Sequence, residues 1–270
     1  MASRYACKKI DEMNVIESFR LDGKVVLVTG GAGNYGQCIV EGLAEAGGSI
    51  IIASRNLEKN RAKAEAYKSK GFDVHAMQVD QGDHYSVMSL KKAILSEFGR
   101  LDVFVNNSVS RPMKSFDDPI ENFAESMRIN ATGAMDMLRE MADLIWKSGG
   151  GSIINIASMM GMFGPDLSNY DGTDMGIPSP DYFFHRAGLI NLTRYLARVY
   201  AGKNIRVNCV SPGGLFNHQT ERFLENYTQK VPLGRMAEHN DIKGVMVLLA
   251  SEAGAYINGE NILMDGGLNA

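Results

Sequence analysis

Lys24-Val25-Val26-Leu27-Val28-Thr29-Gly30-Gly31-Ala32-Gly33-Asn34-Tyr35-Gly36, continued by Gln37–Ala46, is the stretch that decides the fold. After the lysine it runs through aliphatic residues with no polar alternation, as a strand buried on both faces of a parallel sheet requires. The glycine-rich turn follows at once, and beyond it Ile39, Val40 and Leu43 recur at helical spacing. Strand, glycine turn and helix in that order make a nucleotide site. The glycines let backbone N–H groups approach a pyrophosphate at the positive end of the helix, whereas a glycine loop out of this context is merely flexible. Gly30, Gly33, Asn34, Tyr35 and Gly36 are the expected contacts.

Ser49–Ala53 is a second buried strand reached after one helix, so the unit is βαβ, with a right-handed crossover and parallel order. At its end, where a carboxylate would hold the ribose 2′-hydroxyl of NAD, the chain reads Ser54-Arg55-Asn56. Arginine pairs with the 2′-phosphate of NADP by charge-assisted hydrogen bonds, so NADP is favoured and NAD kept as the second choice. In the competing reading Arg55 only stacks on adenine or faces water.

The alternation continues through a charged helix near Glu58–Lys70, strand Val74–Val79, helix Ser86–Phe98 and strand Val103–Asn106. A long helical stretch spans Pro119 to Lys147, and strand Ser152–Ile156 follows. After a loop come helix Tyr182–Tyr200, strand Arg206–Val210, helix Asp241–Leu249 and strand Asn261–Met264. The pattern predicts an α/β fold, a doubly wound Rossmann-type sheet of about seven parallel strands with helices on both faces, in a single domain over 21–270. Residues 1–20 form an N-terminal arm with a short helix around Asp11–Ser18. Ligands in such sheets bind beyond the carboxyl ends of the strands. That edge collects Asp80, Asn107, Ser158, Pro212 and Gly213 beside the glycine turn. Asn130 sits among apolar helical neighbours, where its amide competes with the backbone, and reads either as a cap or kink or as a positioned polar group. The irregular segment 159–181 and the polar, helix-compatible segment within 213–232 are expected to shape a substrate pocket.

Tyr182 and Arg186 are four residues apart at the head of an apolar helix and so share a face. A phenol is a poor acid or base at neutral pH unless a positive charge favours the phenolate, and Arg186 is placed to supply one. Arg111, Lys114, His218 and Arg222 are candidates to receive an anionic substrate, against the alternative of solvated surface charge. Met160, with Met113, Met159 and Met162, offers an adaptable pocket wall or simple core filling.

Composition excludes several classes. The chain has 270 residues, 45% apolar and 22% charged, with a net charge of −3 and no run of Lys or Arg, which argues against a nucleic-acid partner. No apolar run approaches the roughly 20 residues needed to cross a bilayer, and the first residues lack a signal-peptide core, so no membrane partner and a cytoplasmic location are expected. Cys7, Cys38 and Cys209 are odd in number, widely spaced and without a CxxC pair, and the histidines show no ligand spacing. No disulfide framework or metal is predicted.

Taken together, TGGAGNYG at 29–36, NNS at 106–108, Asn130, Ser158, the tyrosine at 182 and PGG at 212–214 resemble the motifs of the short-chain dehydrogenase/reductase family, in the family's order and over Leu21 to Gly267. The region from Ser152 to Gly214 is more weakly similar to bacterial sugar and nonulosonate modification oxidoreductases. The resemblance implies hydride transfer between a nicotinamide and a small-molecule secondary alcohol or ketone, and a homo-oligomer, either tetramer or dimer. It implies that Ser158 polarises the substrate oxygen, that Tyr182 exchanges the proton, and that Asn130 helps hold a water chain. The family's lysine four residues after the tyrosine, which binds the nicotinamide ribose, is Arg186 here. Arginine keeps the charge but changes its shape, so reduced activity is expected, with a nicotinamide-binding sensor or scaffold without turnover as the alternative. Asn34 in place of the loop's middle glycine is expected to preserve binding, because asparagine tolerates left-handed backbone.

Overall fold

The computed structural model describes residues 13–270, and residues 1–12 of the arm lie outside them. The part of the expected arm helix that is described is α1, Val15–Ser18, capped by Asn14. The remaining elements in chain order are β1 (Val25–Thr29), α2 (Asn34–Glu45), β2 (Ser49–Ser54), α3 (Leu57–Lys68), β3 (Val74–Gln78), α4 (His84–Phe98) and β4 (Val103–Asn106). The second half holds α5 (Ile120–Met127), α6 (Ala134–Lys147), β5 (Gly151–Ile156), α7 (Pro180–Val199), β6 (Ile205–Pro212), α8 (Glu221–Thr228), α9 (Lys243–Ala250) and β7 (Asn261–Met264). The seven strands form one sheet in the order β3-β2-β1-β4-β5-β6-β7, and every pairing is parallel.

The apolar runs of the central strands are explained by two cores, one on each face. Successive strand residues point to opposite sides of a sheet. Leu27, Ile51, Phe104 and Ile153 accordingly pack with α4, α6 and α7, while their neighbours Val26, Val28, Ile50, Ile52 and Ile154 pack with α2, α3 and α9. All nine of these side chains are fully buried, and each contributes about 1.5–3 kcal/mol relative to exposure. The chain reverses direction of travel across the sheet between β3 and β4, so β1 and β4 are neighbours and a crevice opens above their carboxyl ends.

One expected element is interrupted. The stretch from Pro119 to Lys147 is not a uniform helix, because Arg128–Gly133 forms a π-helical turn between α5 and α6. Gly133 makes this possible: a Cβ there would lie 2.2 Å from the Gln81 carbonyl oxygen. The wide turn brings the helix against the segment after β3, and only glycine permits that approach. The helical part of the second loop is also shorter than the sequence pattern allows, since α8 begins only at Glu221 with Thr220 as its cap.

Candidate active site

The crevice is a cavity of about 1210 Å³ that runs from the glycine turn to segment 159–181 and α8. Its cofactor end is built from the β1–α2 turn. A Cβ on Gly36 would lie 2.2 Å from the Gly30 carbonyl oxygen, so the turn closes only around glycine. Gly33 caps α2 without a side-chain hydrogen bond, which leaves the helix's first N–H groups for a ligand. Asn107 braces the turn by donating from Nδ2 to the carbonyls of Thr29 (3.0 Å) and Gly30 (3.2 Å). Tyr35 donates its hydroxyl to the Gly213 carbonyl at 3.0 Å and so ties the turn to the end of β6.

At the end of β2, Ser54 and Arg55 line the cavity together with Lys59, one turn into α3. Neither Arg55 nor Lys59 has a carboxylate partner among the described residues. Two unpaired cations beside a cap with free N–H groups fit a dinucleotide that carries an additional phosphate. Lys59 was hidden in the sequence as one of many charges on a polar helix. Asp80 lines the wall and accepts from the Gly82 N–H at 2.9 Å. Among the described residues no group of His, Cys, Asp and Glu is arranged to hold a metal.

The far end gathers Ser158, Tyr182 and Arg186. Ser158 lies two residues beyond the end of β5 and caps the short turn Met159–Gly161. Tyr182 and Arg186 stand on α7, which starts with Pro180 at a position where a missing N–H costs nothing. Three fully buried or nearly buried polar groups lock α7 to the sheet: Asn106 donates to Asn155 at 2.9 Å, Asn155 to Thr193 at 2.9 Å, and Thr193 to the Leu189 carbonyl. Arg186 is only 4% exposed and donates to the Ile156 carbonyl at 2.5 Å, while its Nε has no partner. Its guanidinium carbon lies 5.1 Å from the Tyr182 ring centroid. Burial alone pushes the phenol toward its neutral form, but Arg186, Arg111 and hydrogen bonding from Ser158 outweigh it, and the Tyr182 pKa falls below the ordinary value. His185, on the same helix, is held down to about 3 by burial and by Arg186.

Asn130 lies in the π-helical turn and is absent from the cavity lining. Its amide accepts from the Ser110 N–H at 2.8 Å, donates back to the Ser110 carbonyl at 2.8 Å, and donates to Ser126 Oγ at 3.0 Å. Ser126 in turn donates to Asp181, the residue before the tyrosine. The asparagine therefore fixes the loop after β4 rather than facing the cavity with its side chain.

Of the expected substrate contacts, Arg111, Lys114 and Met160 line the cavity, as do Pro212 and Gly213. His218 and Arg222 do not, and the reason is the orientation of α8 and the turn before it. Phe223 and Tyr227 are buried against Met159, Tyr170 and Met175, so they hold the inner face. Arg222 is turned outward to Glu225 at 3.3 Å, and His218 packs on Phe216. A residue that the sequence pattern did not single out joins the two loop segments: Lys230 Nζ donates to Asp166 (2.7 Å), Ser168 (2.6 Å) and Asn169 (2.7 Å).

This arrangement of parallel sheet, glycine turn and serine–tyrosine–cation group fits an NAD(P)(H)-linked oxidoreductase acting on CH–OH groups, and the chain belongs to the short-chain dehydrogenase/reductase family. A family model described as enoyl-(acyl carrier protein) reductase matches residues 31–269. The chain is 30% identical to a 3-oxoacyl-[acyl-carrier-protein] reductase of Thermotoga maritima, with 92% of this chain and 99% of the relative covered. It is 31% identical to a 2-dehydro-3-deoxy-D-gluconate 5-dehydrogenase of Dickeya dadantii, covering 94% and 98%. A gluconate 5-dehydrogenase of Burkholderia cenocepacia, solved with NADP and tartrate, superposes with a TM-score of 0.84 at 26% identity and covers 94% of this chain and 98% of its own.

Proposed function

We propose that the protein transfers hydride between NADP(H) and a polar secondary alcohol or ketone of the sugar, polyol or hydroxy-acid class, with Tyr182 as the acid and base. The observation that carries this reading is the convergence of Ser158, Tyr182 and Arg186 at one end of the cavity whose other end is the glycine turn. When bound, the nicotinamide supplies or accepts the hydride. Gly30, Gly33 and Gly36 let backbone approach the pyrophosphate, and Arg55 and Lys59 hold the 2′-phosphate. Ser158 donates to the substrate oxygen, and Tyr182 takes the hydroxyl proton during oxidation or returns it during reduction. Arg186 favours the phenolate and keeps Ile156 and the tyrosine in register. The polar class is supported by Asn217, Gln219 and Asn269 in the cavity wall, and by relatives whose names specify sugar acids.

The same reading extends to assembly. α7 leaves Phe184, Tyr195 and Val199 at least 48% exposed, and α5 leaves Ile120 72% exposed, surfaces suited to a second copy of the chain. Sedimentation of the purified protein as a monomer would remove this part.

A panel of sugars, polyols and hydroxy acids, D-gluconate among them, assayed with NADP+ and NAD+, tests the activity. Tyr182→Phe is expected to abolish turnover of whichever alcohol reacts while cofactor affinity stays within about threefold. Full turnover by the phenylalanine variant would remove Tyr182 from the chemistry.

A further inference from the structure

The tyrosine faces a second cation to which the proposed reaction assigns no step. Arg111 comes from the loop after β4, and its guanidinium carbon lies 4.7 Å from the Tyr182 ring centroid, closer than that of Arg186 at 5.1 Å. Arg111 lines the cavity and has no carboxylate partner among the described residues. Its position is built rather than incidental. The residue before it, Ser110, is clamped through both its N–H and its carbonyl by the buried Asn130 amide. That amide is tied through Ser126 to Asp181, so the loop bearing Arg111 and the helix bearing Tyr182 share one chain of hydrogen bonds.

We propose that Arg111 is a catalytic residue that stabilises the Tyr182 phenolate from the ring face, sharing with Arg186 the task that a single cation performs when it is well shaped for it. This rests on Tyr182 being the acid and base. The physics follows from what deprotonation does to the ring. A cation over a neutral phenol is attracted by the ring's quadrupole, and over a phenolate by full negative charge spread into the same ring, so the deprotonated form gains more. Arg186 is held by the Ile156 carbonyl and has little freedom to follow the proton. Arg111 stands on an exposed loop and can. Asn130 then acts as a positioning residue: it sets where the loop, and with it the guanidinium, sits over the ring. Arg111 is thereby reassigned from a receiver of substrate anions to a partner of the tyrosine.

The test reads the phenol directly, without requiring turnover. Tyrosinate ultraviolet absorbance is titrated in the full-length protein, and the signal of Tyr182 is isolated by subtracting the Tyr182→Phe variant. Arg111→Met, made in both backgrounds, is expected to move the Tyr182 midpoint up by about half to one pH unit, a roughly three- to tenfold loss of phenolate at any pH below it, the range reflecting solvent screening of an exposed cation. Arg111→Lys, which keeps the charge, is expected to restore most of the shift. The pH profile of NADP+ reduction should move by the same amount, with KM unchanged. An unmoved midpoint overturns the proposal, as does a defect confined to KM for carboxylated alcohols, which would return Arg111 to substrate binding. If no alcohol is turned over, the reading of the protein as a Tyr182-dependent enzyme fails, while the titration still decides whether Arg111 controls the phenol.

Discussion

Replacing Arg186 by methionine removes the buried charge on which the tyrosine depends and keeps most of the side chain's length. A unit charge 5.1 Å from the ring is worth about 3 kcal/mol at an effective dielectric of 20, a little over two pKa units for the phenol. Because the proposed alcohol oxidation draws on the phenolate, the rate at pH 7 is expected to fall on the order of a hundredfold, and the rising limb of the pH profile to move toward alkali. The variant also strands the Ile156 carbonyl, a cost of about 1–3 kcal/mol in stability. Thermal unfolding must therefore be measured beside the kinetics, at a temperature where both proteins are folded. NADPH fluorescence gives cofactor affinity separately, and Arg186→Lys supplies the control that keeps charge and changes shape. The lysine variant is expected to match or exceed the parent rate, since an ammonium is compact and rotatable where a guanidinium is planar and long. If the folded methionine variant oxidises the same alcohol within about threefold of the parent rate, at an unchanged pH profile, Arg186 does not activate the tyrosine.

Other perturbations address other parts of the site. Arg55→Asp combined with Lys59→Ala should weaken NADPH binding at least about tenfold relative to NADH, because a carboxylate repels the 2′-phosphate and accepts from a free 2′-hydroxyl; an unaltered preference in paired affinity measurements would mean that neither cation reads that phosphate. Stability should decline in acid through His185. Its folded pKa is depressed to about 3 against 6.5 in the unfolded chain, so the unfolded state takes up the proton first, and the contribution is whole above pH 6.5 and is lost as pH falls toward 3. At pH 4.5 the loss is about 2–3 kcal/mol, and denaturant melts of His185→Leu should lack it; an equal acid sensitivity in that variant would place the titrating group elsewhere.

Much of the architecture was legible because a parallel strand buried on both faces has no polar alternation to disguise it. Val25 to Val28 and Ile50 to Ile52 supply both cores at once, and sequence order then dictates crossover and ligand edge. The residues at strand ends were legible for the same reason: Ser158 and Pro212 stand where the strand stops. Side-chain direction on short polar segments was not. Nothing local to residues 215–230 says that Phe223 and Tyr227 would find Tyr170 and Met175 and thereby turn Arg222 to solvent, because those partners lie some fifty residues earlier. Asn130 shows the same limit in another form. Its misfit among apolar neighbours was visible, but its partner Ser110 is in a loop that carries no periodicity. For Arg111 the sequence gives the charge, which suits an anion receiver or a solvated surface group alike, and not the Tyr182 ring 4.7 Å from its guanidinium carbon.

The π-helical turn at Arg128–Gly133 has a consequence for how the chain divides its labour. One extra residue in a turn advances everything after it by about 100° of arc. Upstream, Phe123 meets Phe184 on α7, with ring centroids 5.6 Å apart; downstream, Met137, Leu138, Met141 and Ile145 face the sheet. A single continuous rod thus serves two clients that lie in different directions, as an offset in a crankshaft does. A loop could make the same change of heading, but it would surrender the rigidity with which Asn130 grips the strand-end loop beside it.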